Sequence, residues 1–129
     1  MREKAMKKLL LVGLMMLAGS AWAEWVKYSE TDRTTFYYDP ATIRKDGHIR
    51  RVWELNNLRK RHKDGEMSRR YRIEYDCKQE RMRYLGLSEH SESMAGGQVL
   101  NTFGEDDKWR EIPPETPLET MLKIVCALK

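Results

Sequence analysis

Serine, histidine and acidic residues stand side by side in one segment of the chain, Ser88–Ser93, which reads Ser-Glu-His-Ser-Glu-Ser. These are the side chains with which hydrolases activate a serine nucleophile. In those enzymes the fold assembles the three groups from separate positions, and one common form places the serine in a G-x-S-x-G turn, which this sequence lacks. The segment therefore predicts a polar strand end or loop, and we expect a non-enzymatic protein with no catalytic residue.

The three histidines of the chain, His48, His62 and His90, do not share a spacing that would place two of them on one metal ion. Two acidic pairs, Glu89/Glu92 and Asp106-Asp107, are interpreted as solvated turns, because nothing in the sequence indicates the burial that shifts a carboxyl pKa. The sequence thus predicts neither a metal site nor a cofactor. A zinc site assembled across strands is the alternative.

Basic residues form the most distinctive charge pattern in the second half of the chain. They begin at Arg59-Lys60-Arg61-His62-Lys63 and continue along two predicted strands. If these strands pair, the arginines would share an exposed face that could bind an anionic polysaccharide, lipid headgroups or an acidic protein surface. The candidate contact residues are Arg59, Lys60, Arg61, Lys63, Arg70, Arg72, Arg81 and Arg83. The alternative is a solvated surface balanced by Glu54, Glu66, Glu74, Asp76 and Glu80.

Aromatic residues could form a carbohydrate-binding platform, but most of them alternate with polar residues in predicted strands, so we expect them to pack in the core. The residues concerned are Tyr37, Tyr38, Trp53, Tyr71, Tyr75, Tyr84 and Trp109.

The first residues have the pattern of an export signal. Basic residues precede an apolar run from Leu9 to Ala18, and Ala21-Trp22-Ala23 precedes Glu24. This order predicts a cleavable signal peptide, residues 1–23, and a mature domain, residues 24–129, with cleavage between Ala23 and Glu24. The apolar run has about half of the roughly 20 residues that a spanning helix needs, so we expect no transmembrane segment after cleavage. An uncleaved N-terminal anchor is the alternative.

The predicted signal peptide also carries most of the excess positive charge. The chain has 24 basic and 20 acidic residues. Residues 1–23 contain four of the basic residues and one of the acidic residues, so the mature domain has 20 basic and 19 acidic residues. A nearly neutral exported domain gives no reason to expect nucleic acid as a partner.

The two cysteines, Cys77 and Cys126, predict a disulfide, because an even number of cysteines in an exported chain is typical of paired thiols and two cysteines allow one pairing. Closing a loop of about 50 residues would stabilise the fold by roughly 4 kcal/mol in the chain-entropy description. Two free thiols are the alternative.

The elements that must position these side chains are mostly strands. Up to about Phe103, β-branched and aromatic residues occur in short runs between turn signals such as Asp39–Thr42 and Lys45-Asp46-Gly47. The predicted strands cover residues 24–29, 34–38, 48–58, 67–78, 81–89 and 97–103, and consecutive strands are expected to pair as a meander.

Alternation within the strands predicts a sheet with one wet face. The strand from residue 67 places Tyr71, Ile73, Tyr75 and Cys77 opposite Arg70, Arg72, Glu74 and Asp76. In the strand from residue 48, Ile49, Trp53 and Leu55 share one face, and Arg50, Val52 and Glu54 share the other.

The C-terminal segment predicts a helix. Thr116-Pro117-Leu118-Glu119 is a capping box with proline at the first helical position, and an apolar stripe follows it. Cys126 lies beside this stripe, so a disulfide to Cys77 would clamp the helix onto the sheet. The predicted fold is a single α+β domain with an antiparallel sheet and a packed C-terminal helix.

A series of short motifs gives the chain a family resemblance. In order they are Trp25-Val26-Lys27-Tyr28, Tyr37–Ile43, Arg51-Val52-Trp53, Tyr75-Asp76-Cys77, Met94 with the glycines after it, Trp109–Pro114 and Val125-Cys126. This order resembles the surface-adhesin protein E family of Gram-negative bacteria over almost the whole mature chain. The resemblance implies a six-stranded antiparallel sheet, a C-terminal helix tied down by a disulfide, and attachment to host matrix and serum proteins.

We therefore expect an exported binding module of the cell envelope, adhesin-like, whose ligand is a protein or an anionic polysaccharide. No cysteine lies at the predicted cleavage site, so we expect a periplasmic or surface-exposed protein without a lipid anchor, either monomeric or dimeric through an edge strand. The alternative is a periplasmic structural or accessory protein that contacts other envelope proteins and has no adhesive role.

Overall fold

A computed structural model describes residues 23–129 of the chain. Apart from Ala23, the predicted signal peptide lies outside the described residues. The strands are β1 (Val26–Glu30), β2 (Thr34–Tyr38), β3 (Arg44–Asp46), β4 (Ile49–Leu58), β5 (Ser68–Asp76), β6 (Arg81–His90), β7 (Val99–Phe103) and β8 (Arg110–Glu111). The helix α1 (Pro117–Ala127) follows them.

All strand pairs in the sheet are antiparallel, in the order β1-β2-β4-β5-β6-β7, with β3 beside one end of β4 and β8 beside one end of β6. The predicted six-stranded meander is therefore confirmed. Lys45-Asp46-Gly47 was expected to be only a turn, but Arg44–Asp46 also pairs with β4. Gly47, with φ of +58°, makes the tight connection between these two strands.

The helix α1 covers one side of the sheet, which we call the helix face. Its side chains Met121, Leu122 and Val125 are buried against the sheet. The sheet contributes Val52, Ile73, Tyr75 and Met82 to this core. The predicted inward positions of β5 are thus confirmed, since Ile73 and Tyr75 face the helix.

The two predicted faces of β4 are confirmed, but the expectation that Trp53 packs in the core is wrong. Val52 belongs to the core below the helix, and Arg50 and Glu54 alternate with it and are also buried. Trp53 lies on the opposite side of the sheet, where it contacts Arg70. The prediction failed because the core face of β4 carries two charged residues, so the strand shows no apolar alternation.

Polar contacts and one disulfide fix the two ends of α1. At its start, the hydroxyl of Thr116 accepts a hydrogen bond from Glu119 N at 3.4 Å. At its end, the Arg50 guanidinium donates to Val125 O at 3.2 Å and to Leu128 O at 3.3 Å. The Cys77–Cys126 disulfide, with Cα atoms 5.7 Å apart, joins the last turn of α1 to the end of β5 and confirms the predicted clamp.

No helix among residues 23–129 is long and apolar enough to cross a membrane.

Candidate functional site

The side of the sheet opposite the helix carries a group of arginines on three neighbouring strands. Register places Arg51 of β4, Glu74 of β5 and Arg83 of β6 in one row across the sheet. The next rows add further arginines on the same side. We call this surface the arginine face, and its members are Arg51, Arg70, Arg72, Arg81 and Arg83. Four of them are predicted contact residues. Arg51 is not among those, because its partner Glu74 across the sheet is evident only from the strand register.

Two buried carboxylates lie beneath the arginine face. Glu74 and Asp76 are each 2% exposed, so the prediction that they belong to a solvated surface is wrong. Glu74 accepts from Arg51 Nε at 2.7 Å on one oxygen and forms an ion pair with Arg83 Nη2 at 2.7 Å on the other. Asp76 accepts from Arg81 Nε at 3.1 Å. Buried carboxylates of this kind hold three of the five guanidinium groups in place.

The pKa of Asp76 reflects this arrangement. Burial alone would raise it, but hydrogen bonds from Gln79 N, the Arg81 side chain and Lys78 N lower the pKa below its usual value. The carboxylate therefore stays charged and keeps Arg81 in position.

Two tryptophan rings make cation–π contacts with three of these arginines. The Arg81 and Arg83 guanidinium carbons lie 4.7 Å and 4.4 Å from the ring centroid of Trp109, and that of Arg70 lies 4.9 Å from the Trp53 ring. At these distances the rings attract the cations and limit their rotation. The two tryptophans thus serve this surface, whereas the prediction placed them among the core aromatics.

Arg70 and Arg72 are exposed and form no ion pair with another residue between 23 and 129. The five arginines and the two buried carboxylates leave a formal charge of +3, which becomes +2 if exposed Glu111, opposite Arg81 on β8, is included. The face therefore has excess positive charge at two arginines that are free to meet a ligand.

The remaining candidate residues lie elsewhere, in the loop of residues 59–63 that leaves β4, which we call the basic loop. Arg61 donates to Gly65 O at 2.8 Å and to Ser91 O, and it pairs with Glu92, so this side chain holds the loop itself. Arg59 pairs with Glu30 at 3.6 Å. Lys60 and Lys63 are exposed. The loop borders a groove of about 550 Å³ beside the β1–β2 turn.

The structure separates the predicted contact residues into two groups. Arg70 lies near the start of β5, which is the end of the strand that follows the basic loop. Arg81 lies at the opposite end of the sheet, beside Asp76. The predicted contact surface is thus a sheet face with a loop at one end of it.

Ser88–His90 form the end of β6, as the prediction of a polar strand end implies, and all three residues are buried. The prediction of a solvated turn is therefore wrong for Glu89. Ser88 Oγ and His90 Nε2 lie 2.7 Å apart on the side of the arginine face. Glu89 points to the other side, because successive residues of a strand alternate. The three groups therefore do not form a serine–histidine–carboxylate relay.

Asp64, Glu66 and Glu89 each place one carboxylate oxygen within 4.8 Å of the other two, a spacing that could hold a cation. Arg69, however, forms an ion pair with Glu66. Contact with Glu66 and burial raise the pKa of Glu89 to about 7. These features favour a protonated Glu89 near neutral pH over a bound metal.

A family profile and a group of solved structures are similar to this chain. The profile of the family described as Surface-adhesin protein E matches residues 25–127. Comparison with curated protein sequences gives no significant match.

Solved structures of Haemophilus influenzae protein E are similar to this chain. One, a second crystal form, has a TM-score of 0.62 and 17% identity, and the match covers 83% of this chain and 97% of that chain. Another, from a non-typeable strain, has a TM-score of 0.58 and 16% identity, with coverage of 84% and 79%. At these identities the likeness establishes the fold alone, and the profile match establishes that this chain belongs to the surface-adhesin protein E family.

Proposed function

We propose that this chain is a non-enzymatic binding module of the bacterial cell envelope that holds an acidic protein surface on the arginine face. Membership of the surface-adhesin protein E family supports an adhesin-like surface protein. The observation that carries the choice of surface is the pair Arg70 and Arg72, which add unpaired positive charge to a face already braced by carboxylates and tryptophans.

The arginine face suits a protein ligand for two physical reasons. Guanidinium groups bind carboxylates with two parallel hydrogen bonds, and Trp53 and Trp109 restrict the guanidinium groups before binding, so less conformational entropy is lost. Exposed charge also speeds association and makes it sensitive to salt. An anionic polysaccharide would satisfy the same charge, and it is the first alternative ligand.

The test is solid-phase binding of the mature domain to immobilised extracellular matrix proteins, with heparin as a polysaccharide comparison. Arg70→Gln/Arg72→Gln is the informative variant, because neither side chain neutralises a buried carboxylate and the fold should persist. We expect the affinity of this variant to be about 5- to 30-fold lower, since two exposed charges contribute roughly 1–2 kcal/mol.

Lys60→Gln/Lys63→Gln is the matched control, because it removes the same charge from the basic loop. Equal loss in both variants would show that overall charge rather than the arginine face is responsible. Loss in the control alone would assign the contact to the loop. If the domain bound heparin more tightly than every matrix protein, the proposed ligand would be an anionic polysaccharide instead of a protein.

A second function is a periplasmic accessory protein that contacts other envelope proteins. The observation in its favour is the edge strand β7, where Val99 is 57% exposed and Phe103 is 53% exposed. An open edge with apolar side chains can pair with a strand of another protein or of a second copy. Crosslinking in cells followed by purification tests this function. A stable bacterial partner favours it, and recovery of the chain alone or as a dimer counts against it.

A further inference from the structure

A second feature, on the helix face, is independent of the arginine face. A cavity of about 240 Å³ opens between the sheet and the first turn of α1. Four aromatic rings line it, and a carboxylate lies in its wall. The rings are those of Tyr28, Phe36, Tyr71 and Tyr84, and the carboxylate is that of Glu54.

Glu54 is 1% exposed, and both of its oxygens accept hydrogen bonds from tyrosine hydroxyls. Tyr28 donates to Oε1 at 2.8 Å, and Tyr75 donates to Oε2 at 2.6 Å. A carboxylate offers about four lone-pair positions, so these two bonds leave acceptor capacity. Among residues 23–129, no lysine, arginine or histidine forms an ion pair with Glu54.

A buried carboxylate without a cation is unusual, because removal of a charge from water is costly unless an opposite charge accompanies it. The pKa of Glu54 shows this cost: burial raises it to about 7 although the two tyrosine hydrogen bonds act in the opposite direction. A cation within the cavity would supply the missing partner.

The surrounding rings determine which cation fits. The Tyr71 and Tyr84 ring centroids lie 5.6 Å apart, and those of Tyr28 and Phe36 lie 6.1 Å apart. Aromatic faces attract weakly hydrated alkylammonium ions more effectively than they attract small inorganic cations. A volume of about 240 Å³ is below the range of about 300–1,000 Å³ for drug-sized ligands, so a small head group fits.

We propose that this cavity binds a small alkylammonium ion, with its charge beside Glu54 and its alkyl groups against Tyr28, Phe36, Tyr71 and Tyr84. The ligand class follows from charge complementarity with a buried carboxylate inside an aromatic cage. Occupancy needs no contribution from the arginine face, so the two proposals fail independently.

The test compares choline with dimethylbutanol, the neutral isostere in which carbon replaces the quaternary nitrogen. Binding to the full mature domain is followed by NMR chemical-shift titration at about pH 8, where Glu54 is charged. We expect choline to bind at least about tenfold more tightly, because only the ammonium gains from the carboxylate and the ring faces. Equal affinities would mean an apolar cavity without charge recognition, and no binding of either probe would overturn the site.

Affinity for choline should also rise by up to about tenfold between pH 6 and pH 8, as the ionised fraction of Glu54 increases around its pKa of about 7. The titratable groups that face Glu54 are Tyr28 of β1, Tyr38 of β2, Tyr71 and Tyr75 of β5, and Tyr84 of β6. Burial raises the pKa of Tyr28, Tyr71, Tyr75 and Tyr84, so these four do not ionise in this range. A flat profile would contradict the assignment to Glu54.

Glu54→Gln keeps an acceptor oxygen for the tyrosines and removes the charge, so it should reduce the preference for choline over dimethylbutanol several-fold, to the part that the ring faces alone supply. Glu80→Gln, at an exposed position in the β5–β6 turn, is the matched control and should bind like the wild-type protein. If Glu54→Gln fails to fold, the comparison of the two probes with wild-type protein still decides the question.

Discussion

The protonation of Glu54 makes the stability of the core depend on pH. Its pKa is about 7 in the folded protein against 4.5 for an ordinary glutamate, because burial disfavours the charged form. Between these two values the folded state holds a proton that the unfolded state has lost. The contribution of Glu54 to stability is therefore complete below about pH 4.5 and is lost as pH rises through about 7.

We predict that Glu54→Gln removes this pH dependence. Urea denaturation of both proteins between pH 5 and pH 8 should show the wild-type free energy of unfolding falling relative to that of the variant by roughly 2–3 kcal/mol. Asp76, Glu89 and His90 also have shifted pKa values, but their effects cancel in the difference between the two proteins. A constant difference would show that Glu54 is charged throughout this range.

The polar residues of the sheet mark the limit of what sequence could predict. The types and approximate strands of Arg70, Arg72, Arg81 and Arg83 were evident, and so was their tendency to share a face. The burial of Glu54, Glu74 and Ser88–His90 was not evident, because a charged residue in a strand has the same pattern whether water or another side chain covers it. Burial depends on strand register and on the position of α1, which are properties of the whole sheet.

At the scale of elements, the disulfide and α1 act as one unit. α1 has 11 residues, a length at which an isolated helix is marginal in water, so its stability depends on packing and on attachment to the sheet. Cys126 in its last turn is joined to Cys77, and Arg50 from β4 donates to carbonyls at the same end. Loss of the disulfide should therefore weaken the C-terminal half of the helix most.

We predict that Cys77→Ser/Cys126→Ser lowers the free energy of unfolding by roughly 4 kcal/mol, because the unfolded chain gains the entropy of a loop whose ends are 49 residues apart. Urea denaturation measures the loss, and amide hydrogen exchange should locate the reduced protection in the last turns of α1. The wild-type protein after reduction is the chemical control and should lose a similar amount. Unchanged protection in α1 would mean that packing alone holds the helix.

The elements themselves were predictable to different degrees. α1 and the six long strands have strong signals, namely a capping box, an apolar stripe and alternation bounded by turn residues. The short strands β3 and β8 were missed, because three and two exposed residues give no alternation. The irregularity between Arg72 and Ile73 in the pairing of β5 with β6 was missed as well, since such a shift depends on both strands together.

At the scale of the whole molecule, the two faces of the sheet have separate tasks. The helix face holds the apolar core and the Glu54 cavity, and the arginine face presents charge to solvent above buried carboxylates. A sheet covered on one side can vary its other face without losing the core. The proposed binding surface can therefore vary without cost to the core, and the side of the outer membrane on which the domain lies decides which ligands that surface can meet.

The last prediction concerns that location. We expect cleavage of the signal peptide to leave a protein that begins at Glu24, with a mass two hydrogens below that of the dithiol form, as mass spectrometry of the purified protein can verify. A membrane-impermeant amine reagent should then modify exposed lysines such as Lys60 and Lys63 in intact cells to the same extent as in lysed cells. A known periplasmic protein in the same cells serves as the control for an intact outer membrane. Protection until the outer membrane is broken would place the domain in the periplasm, where the arginine face could meet only envelope components, and the accessory function would replace adhesion.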